Sequence, residues 1–284
     1  MRCLPIACLV LLMSACAPPR KSPPELLVDQ AIQNVKSGND DDAIEKFQKA
    51  LAIDPKDQTR LYLAITYVQL SGIMDIPEPY KLARLGMEQL DIVLTHDPNN
   101  VLALEYEGQA LQFQGKFAEA RTKWRSAQLL DQKDSNIPYA IGSLDWIEAC
   151  KNANDVLHAE HLIDHQDGNI HKSISACRKL ESENSALLED AITNLQHSFW
   201  LNRDFEGSSS MLSLVYRRRA DLHCADPAAI PSDLELARDW RARAEEAHAI
   251  KQKKLENLPS PAPPDNPLLV RPTMPSPDLS TLPK

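Results

Sequence analysis

The chain has 284 residues, of which 43% are hydrophobic and only 5% aromatic, and it carries a formal net charge of −9. With 8 glycines and few aromatics it reads as tightly packed Ala/Leu-rich helices rather than a sheet protein, and the acidic balance without a dense basic cluster makes nucleic acid a poor candidate partner. No apolar run reaches the ~18 residues that an ordinary membrane-spanning helix needs.

Residues 1–15 (MRCLPIACLVLLMSA) place one charge, Arg2, before an apolar run and then small residues, the layout of a secretory signal peptide. Leu12-Met13-Ser14-Ala15-Cys16 resembles the lipobox of bacterial lipoproteins, in which the new N-terminal cysteine carries the lipid. That resemblance implies acylation of Cys16, palmitate-type anchoring and a place in the cell envelope. The other reading is an ordinary signal peptide with a chance cysteine. Ala17 follows, where an aspartate would favour inner-membrane retention, so the expectation is the outer membrane, facing the periplasm. Residues 16–23 form a proline-rich tether.

Residues 24–132 repeat a helix pair three times. In the first, Leu27 and Ala31 lie on one helix, Gly38 sits at the turn, and Ala43, Phe47 and Ala50 line the second helix until Asp54-Pro55 stops it. In the second, Leu63, Ala64, Tyr67 and Leu70 are answered by Gly86, Leu90 and Val93, ending at Asp97-Pro98. The turn between them is about ten residues too long and includes Ile76-Pro77-Glu78-Pro79, which predicts a projecting loop. The third is the most regular. Leu104, Gly108 and Leu111 share a face, Gly115 marks the turn, and Ala120, Trp124 and Ala127 share the facing stripe. Helices approach closely only where small residues meet, so Gly108 and Ala120 are expected to face each other.

Residues 133–257 follow the pattern loosely. Ile141 and Gly142 open a fourth unit, and Asp145 stands on its packed side. A buried carboxylate needs a partner, so Asp145 reads as a structural hydrogen-bonding residue. An insertion at 151–170 carries His158, His161 and His165 at helical spacing, with His171 close by, and three imidazoles on one face can hold zinc or copper. Ala191, Leu195 and Ser198 read as the second helix of a further repeat. Leu212, Ser213 and Tyr216 mark another helix, whose Arg217-Arg218-Arg219 reads as a solvated basic face paired with nearby acids. Residues from Leu234 to about Asn257 form a charged capping helix with Ala237, Trp240 and Ala244 inward. Residues 258–284 hold nine prolines and no periodicity, a disordered or polyproline-type tail. Cys150, Cys177 and Cys224 allow one disulfide or serve as small packing residues.

The helix pairs resemble tetratricopeptide (TPR) repeats, and the third unit fits that motif at nearly every diagnostic place, with Gln132 replacing its terminal proline. The resemblance implies an all-α fold, a right-handed solenoid of helical hairpins with irregular C-terminal repeats. The stretches 141–150, 214–227 and 236–244 resemble a set of exported acidobacterial-type TPR proteins, a likeness that implies fold and export rather than chemistry. Lipobox and repeats together are similar to outer-membrane lipoproteins that serve as pilotins or assembly scaffolds.

These features favour a membrane-anchored scaffold that binds a protein or peptide partner of the cell envelope through its concave face. Helical projection puts Glu105, Gln109, Gln112 and Phe113 of the third unit on that face, continued by Tyr139, Ser143 and Trp146 of the fourth. The aromatics either anchor a partner or pack between units. The alternative is a metal-binding envelope protein using the histidines at 158–171. An enzyme is not expected, since nucleophile elbow, phosphate loop and metalloprotease helix are all missing, and no cofactor is implied.

Overall fold

In the computed structural model, residues 21–73, 76–165, 169–256 and Leu268 are described. The leader with Cys16, and all of the tail except Leu268, lie outside the described residues.

Ten α-helices pair in chain order among the described residues. The first hairpin joins α1 (Pro23–Lys36) to α2 (Asp40–Ile53), the second α3 (Asp57–Ser71) to α4 (Pro79–His96), and the third α5 (Val101–Phe113) to α6 (Phe117–Leu130). The fourth joins α7 (Asn136–Ala159) to α8 (Ile174–Leu201), and the fifth α9 (Glu206–Ala220) to α10 (Ile230–Glu256). Each helix packs on its hairpin partner, and each hairpin on the next. The chain is therefore an all-α solenoid of TPR type, as its periodicity predicts.

Local chemistry accounts for the hairpins. Gly38 and Gly115 take left-handed φ angles of 71° and 72° at equivalent turns, where a side chain would be strained. Asn100 caps α5 by accepting the Ala103 N–H at 3.0 Å. Close helix contact recurs along the stack. A Cβ placed on Gly86 would come within 2.7 Å of Val68 Cγ2, and one on Gly142 within 2.6 Å of Leu195 Cγ. On Gly108 the contact is with the Trp124 indole rather than with Ala120. The glycine makes room for the large ring, which is wholly enclosed.

Two hydrophobic clusters divide the core, and the boundary runs through α5. Ala103, Tyr106 and Ala110 belong to the cluster built on α1–α4, whereas Leu104 and Leu111 join the one that runs from Trp124 to α10.

The insertions behave differently from expectation. Part of the extra length before Gly86 is absorbed by α4, which has 18 residues where α2 and α6 have 14. The extra length after Cys150 likewise extends one hairpin: α7 has 24 residues and α8 has 28. Asn152 Nδ2 donates to Asn184 Oδ1 at 3.0 Å, and Asn184 Nδ2 donates to the Ala149 carbonyl at 2.9 Å, tying the two extensions together. Ala191 and Leu195 therefore lie on the second helix of the unit that Gly142 opens, not on that of a further repeat.

A disulfide joins Cys177 near the start of α8 to Cys224 in the α9–α10 connection, with Cα atoms 5.6 Å apart. Cys150 is a free thiol. The basic run is not a solvated face throughout. Arg218 is 1% exposed and donates to Asp164 Oδ2 at 2.6 Å and to Asp221 Oδ2 at 2.9 Å, while Arg219 donates to Asp233 Oδ1 at 2.6 Å. A guanidinium can be enclosed there because carboxylates meet its fork directly.

Candidate functional site

The seven predicted binding residues lie on the first helices of two consecutive hairpins, α5 and α7. Their surroundings split them into two groups. Glu105 and Tyr139 are 0% exposed, so neither forms an open surface. Tyr139 sets its ring edge-on to Phe205 with centroids 4.8 Å apart, filling the joint between α7 and the start of α9. Phe113 is half-buried, and a Cβ on Gly72 would stand 2.6 Å from its ring, so it seals the joint between the second and third units. Glu105, Tyr139 and Phe113 are thus corrected from partner contacts to packing residues. Helical projection gives a side chain's direction but not the distance to the next unit, and here that distance is short.

Gln109, Gln112, Ser143 and Trp146 have another character. Gln109 Oε1, Gln112 Oε1, Ser143 Oγ and Trp146 Nε1 are each buried without a hydrogen-bond partner. Two amide carbonyls accept, an indole N–H donates and a hydroxyl does either. This is the complement of a peptide backbone, which offers one donor and one acceptor per residue. Leaving such atoms unpaired costs about 1–3 kcal/mol each, a cost that an incoming main chain would relieve.

Beside this row, Arg121 of α6 donates to Asp145 Oδ1 and to Glu148 Oε2, both at 2.6 Å. Burial pushes the Asp145 carboxyl up to about 7, against the opposing pull of Arg121 and with Asp190 adding to the rise. The expected structural role holds: Asp145 and Arg121 rivet α6 to α7.

At the other end of the stack, a cavity of about 710 Å³ opens between α1 and α3, with Val28, Ile32 and Tyr62 among its lining and Lys21, Glu25 and Lys56 beside them. It went unread in the sequence, although Val28 and Ile32 occupy the positions of α1 equivalent to Glu105 and Gln109 of α5.

The histidines do not make a shared face. α7 ends at Ala159, so His158 closes that helix, while His161 turns left-handed at φ 54° and His165 lies in the loop beyond. His171 falls in a single 3-10 turn, Asn169–Lys172. The single helix face on which the metal-binding reading placed His158, His161 and His165 does not form, because the helix stops before the second imidazole.

Neither a family model nor a curated protein matches the chain. Among solved structures it is similar to MamA. One MamA crystal structure superposes with a TM-score of 0.51 at 17% identity, covering 78% of this chain and 96% of that one. A second covers 84% of this chain and 98% of that one, at 16% identity and a TM-score of 0.48. The first of these likenesses supports the solenoid fold.

Proposed function

We propose that the protein is a scaffold, not an enzyme, which captures an extended peptide segment of a cell-envelope partner along the inner faces of α5 and α7. The observation that carries this reading is the row of buried, unpartnered polar atoms on Gln109, Gln112, Ser143 and Trp146. Such a row reads main chain rather than side chains, and it fits strand-like or polyproline-type ligands.

The anchor is the lipid on Cys16, with the fold held off the outer membrane by the proline-rich tether and facing the periplasm. Export is supported by the Cys177–Cys224 bridge, because structural disulfides persist in oxidising compartments.

Two experiments test this. Peptides selected from a random library on the purified protein should lose at least tenfold in affinity when the main-chain N–H groups that meet Gln109 and Gln112 are methylated. Undiminished binding across a full methylation scan would refute backbone capture. For the anchor, an alkyne palmitate analogue should label the wild-type chain and leave Cys16→Ala unlabelled; an unlabelled wild type would refute it.

A further inference from the structure

Two Trp-x-x-Arg steps, Trp200 to Arg203 and Trp240 to Arg243, stand where the end of α8 meets α10. On α10 three residues make nearly one turn, so Arg243 returns over the indole before it. Its Cζ lies 4.7 Å from the centre of the Trp240 ring, and Arg203, just past the end of α8, sets its Cζ 4.3 Å from that of Trp200. The Phe199 ring stands edge-on to both indoles, with centroids 5.9 Å from Trp200 and 5.1 Å from Trp240. Arginine, indole, phenyl, indole and arginine thus form one ladder that joins two helices.

Packing does not require arginine at either end of the ladder, since both guanidiniums are exposed. Among the described residues neither meets a carboxylate; the nearby acids are engaged elsewhere, Glu206 by His248 and Lys251 and Asp204 by Lys254. Stacking occupies the face of a guanidinium and leaves the N–H fork around its edge free, the geometry that grips a phosphate.

A cavity of about 390 Å³ opens beside the ladder, with Phe199 and Ile250 in its lining. Arg203, Arg243, Lys251 and Lys254 outnumber Asp204 and Glu246 there, on a chain whose net charge is −9. Apolar surface stands next to these cations: Trp200 is 64% exposed and Ile250 46%.

We propose that this face docks on an anionic membrane surface, with a lipid phosphate held by Arg203 and Arg243 while Trp200 and Ile250 enter the interfacial layer. Two features select a bilayer over an acidic protein segment. An indole favours the level of lipid headgroups, where its ring is in apolar surroundings and its N–H stays wet. An acidic segment would neutralise the cations but leave Trp200 and Ile250 in water. Acids elsewhere on the chain do not prevent docking, because charges more than about 10 Å away are largely screened at about 0.1 M salt. The contact depends neither on peptide capture nor on a lipid at Cys16. It holds the stack by α10, at the opposite end from α1.

The test uses the chain from residue 16 onward carrying Cys16→Ser, which lacks leader and lipid but keeps all ten described helices. Vesicles of phosphatidylcholine and phosphatidylglycerol in equal parts should carry it down on sedimentation, and phosphatidylcholine alone should not. Arg203→Gln combined with Arg243→Gln should weaken binding about tenfold or more, since each cation near an anionic surface contributes several-fold. Lipids brominated in the acyl chain should quench tryptophan emission, and Trp200→Phe should remove that quenching while the protein still sediments. Raising the salt to about 1 M, where the screening length falls to about 3 Å, should release the unsubstituted chain. This last readout needs no variant and decides the matter if the double variant fails to fold. No sedimentation with the mixed vesicles would overturn the proposal, as would undiminished binding by a folded double variant. Quenching that survives Trp200→Phe would put another face on the bilayer. A glutamate-rich peptide that binds through the two arginines while vesicles do not would give the face to an acidic protein partner instead. Peptide capture at Gln109 is titrated separately, so the two readings stand or fall apart.

Discussion

The indole of Trp124 fills the space that Gly108 leaves open: a Cβ on Gly108 would stand 2.6 Å from Trp124 Nε1. The contact joins α5 to α6 at the regular centre of the stack, and neither helix backbone needs to yield while the residue is glycine.

Gly108→Ala should therefore destabilise the protein by about 1–3 kcal/mol through overpacking, read as a lower melting temperature. Trp124→Leu creates a cavity and should cost about 2–4 kcal/mol alone. The double variant should lose less than the sum, since the added methyl occupies part of the vacated space. Strict additivity would show that the two residues do not share one gap.

Cys177 and Cys224 close a loop across 47 positions of the chain. Replacing both with alanine should lower stability by about 2–4 kcal/mol, measured as a shift in the urea midpoint, while the helical circular-dichroism signal of the folded state persists. An unchanged midpoint would mean that the bridge does not constrain the unfolded chain.

The hairpins and the order of the helices were legible from residue spacing, because Ala31, Ala64, Gly108 and Gly142 recur where a TPR hairpin needs a small residue. The site was legible only in part. Projection gave Gln109, Gln112, Ser143 and Trp146 the same standing as Tyr139, which Phe205 covers from a later unit. A contact between residues 66 positions apart in sequence leaves no periodic trace. The same holds for Arg218: three consecutive arginines look alike in sequence, and only the return of Asp164 beside the middle one shows that it is enclosed.

Asp145 gives a pH test. Its native carboxyl titrates at about 7, above its ordinary value of 3.8, so the native state holds this proton more tightly than the unfolded chain does. The associated stability is complete below about pH 4 and is lost as pH rises through 7. Asp145→Asn resembles the protonated form and has no such loss. Relative to wild type, the variant should gain about 1–3 kcal/mol between pH 5 and pH 8, measured by paired denaturation curves. A constant difference across that range would show that Arg121 keeps Asp145 ionised throughout.

The unpartnered atoms of the inner wall make the last prediction, because they separate function from stability. An enclosed polar atom with no partner contributes nothing to the fold, and replacing it with an apolar group of similar shape is neutral or stabilising. Gln109→Met removes the carbonyl and keeps the length of the side chain. Trp146→Phe removes the indole N–H and keeps an aromatic ring against the core that Trp146 partly covers. Both variants should melt at or slightly above the wild-type temperature. Both should also weaken a captured peptide by about 1–3 kcal/mol, or roughly 5- to 150-fold in Kd, because the bonds they remove form only when the ligand is present. Isothermal titration with a library-selected peptide, run beside thermal melts, reads the two quantities independently. A fall in melting temperature of several degrees in either variant would mean that its atom is already bonded in the free protein. Unchanged affinity in both would place the ligand elsewhere, and the cavity between α1 and α3, where Val28, Ile32 and Tyr62 lie, would be the next surface to mutate.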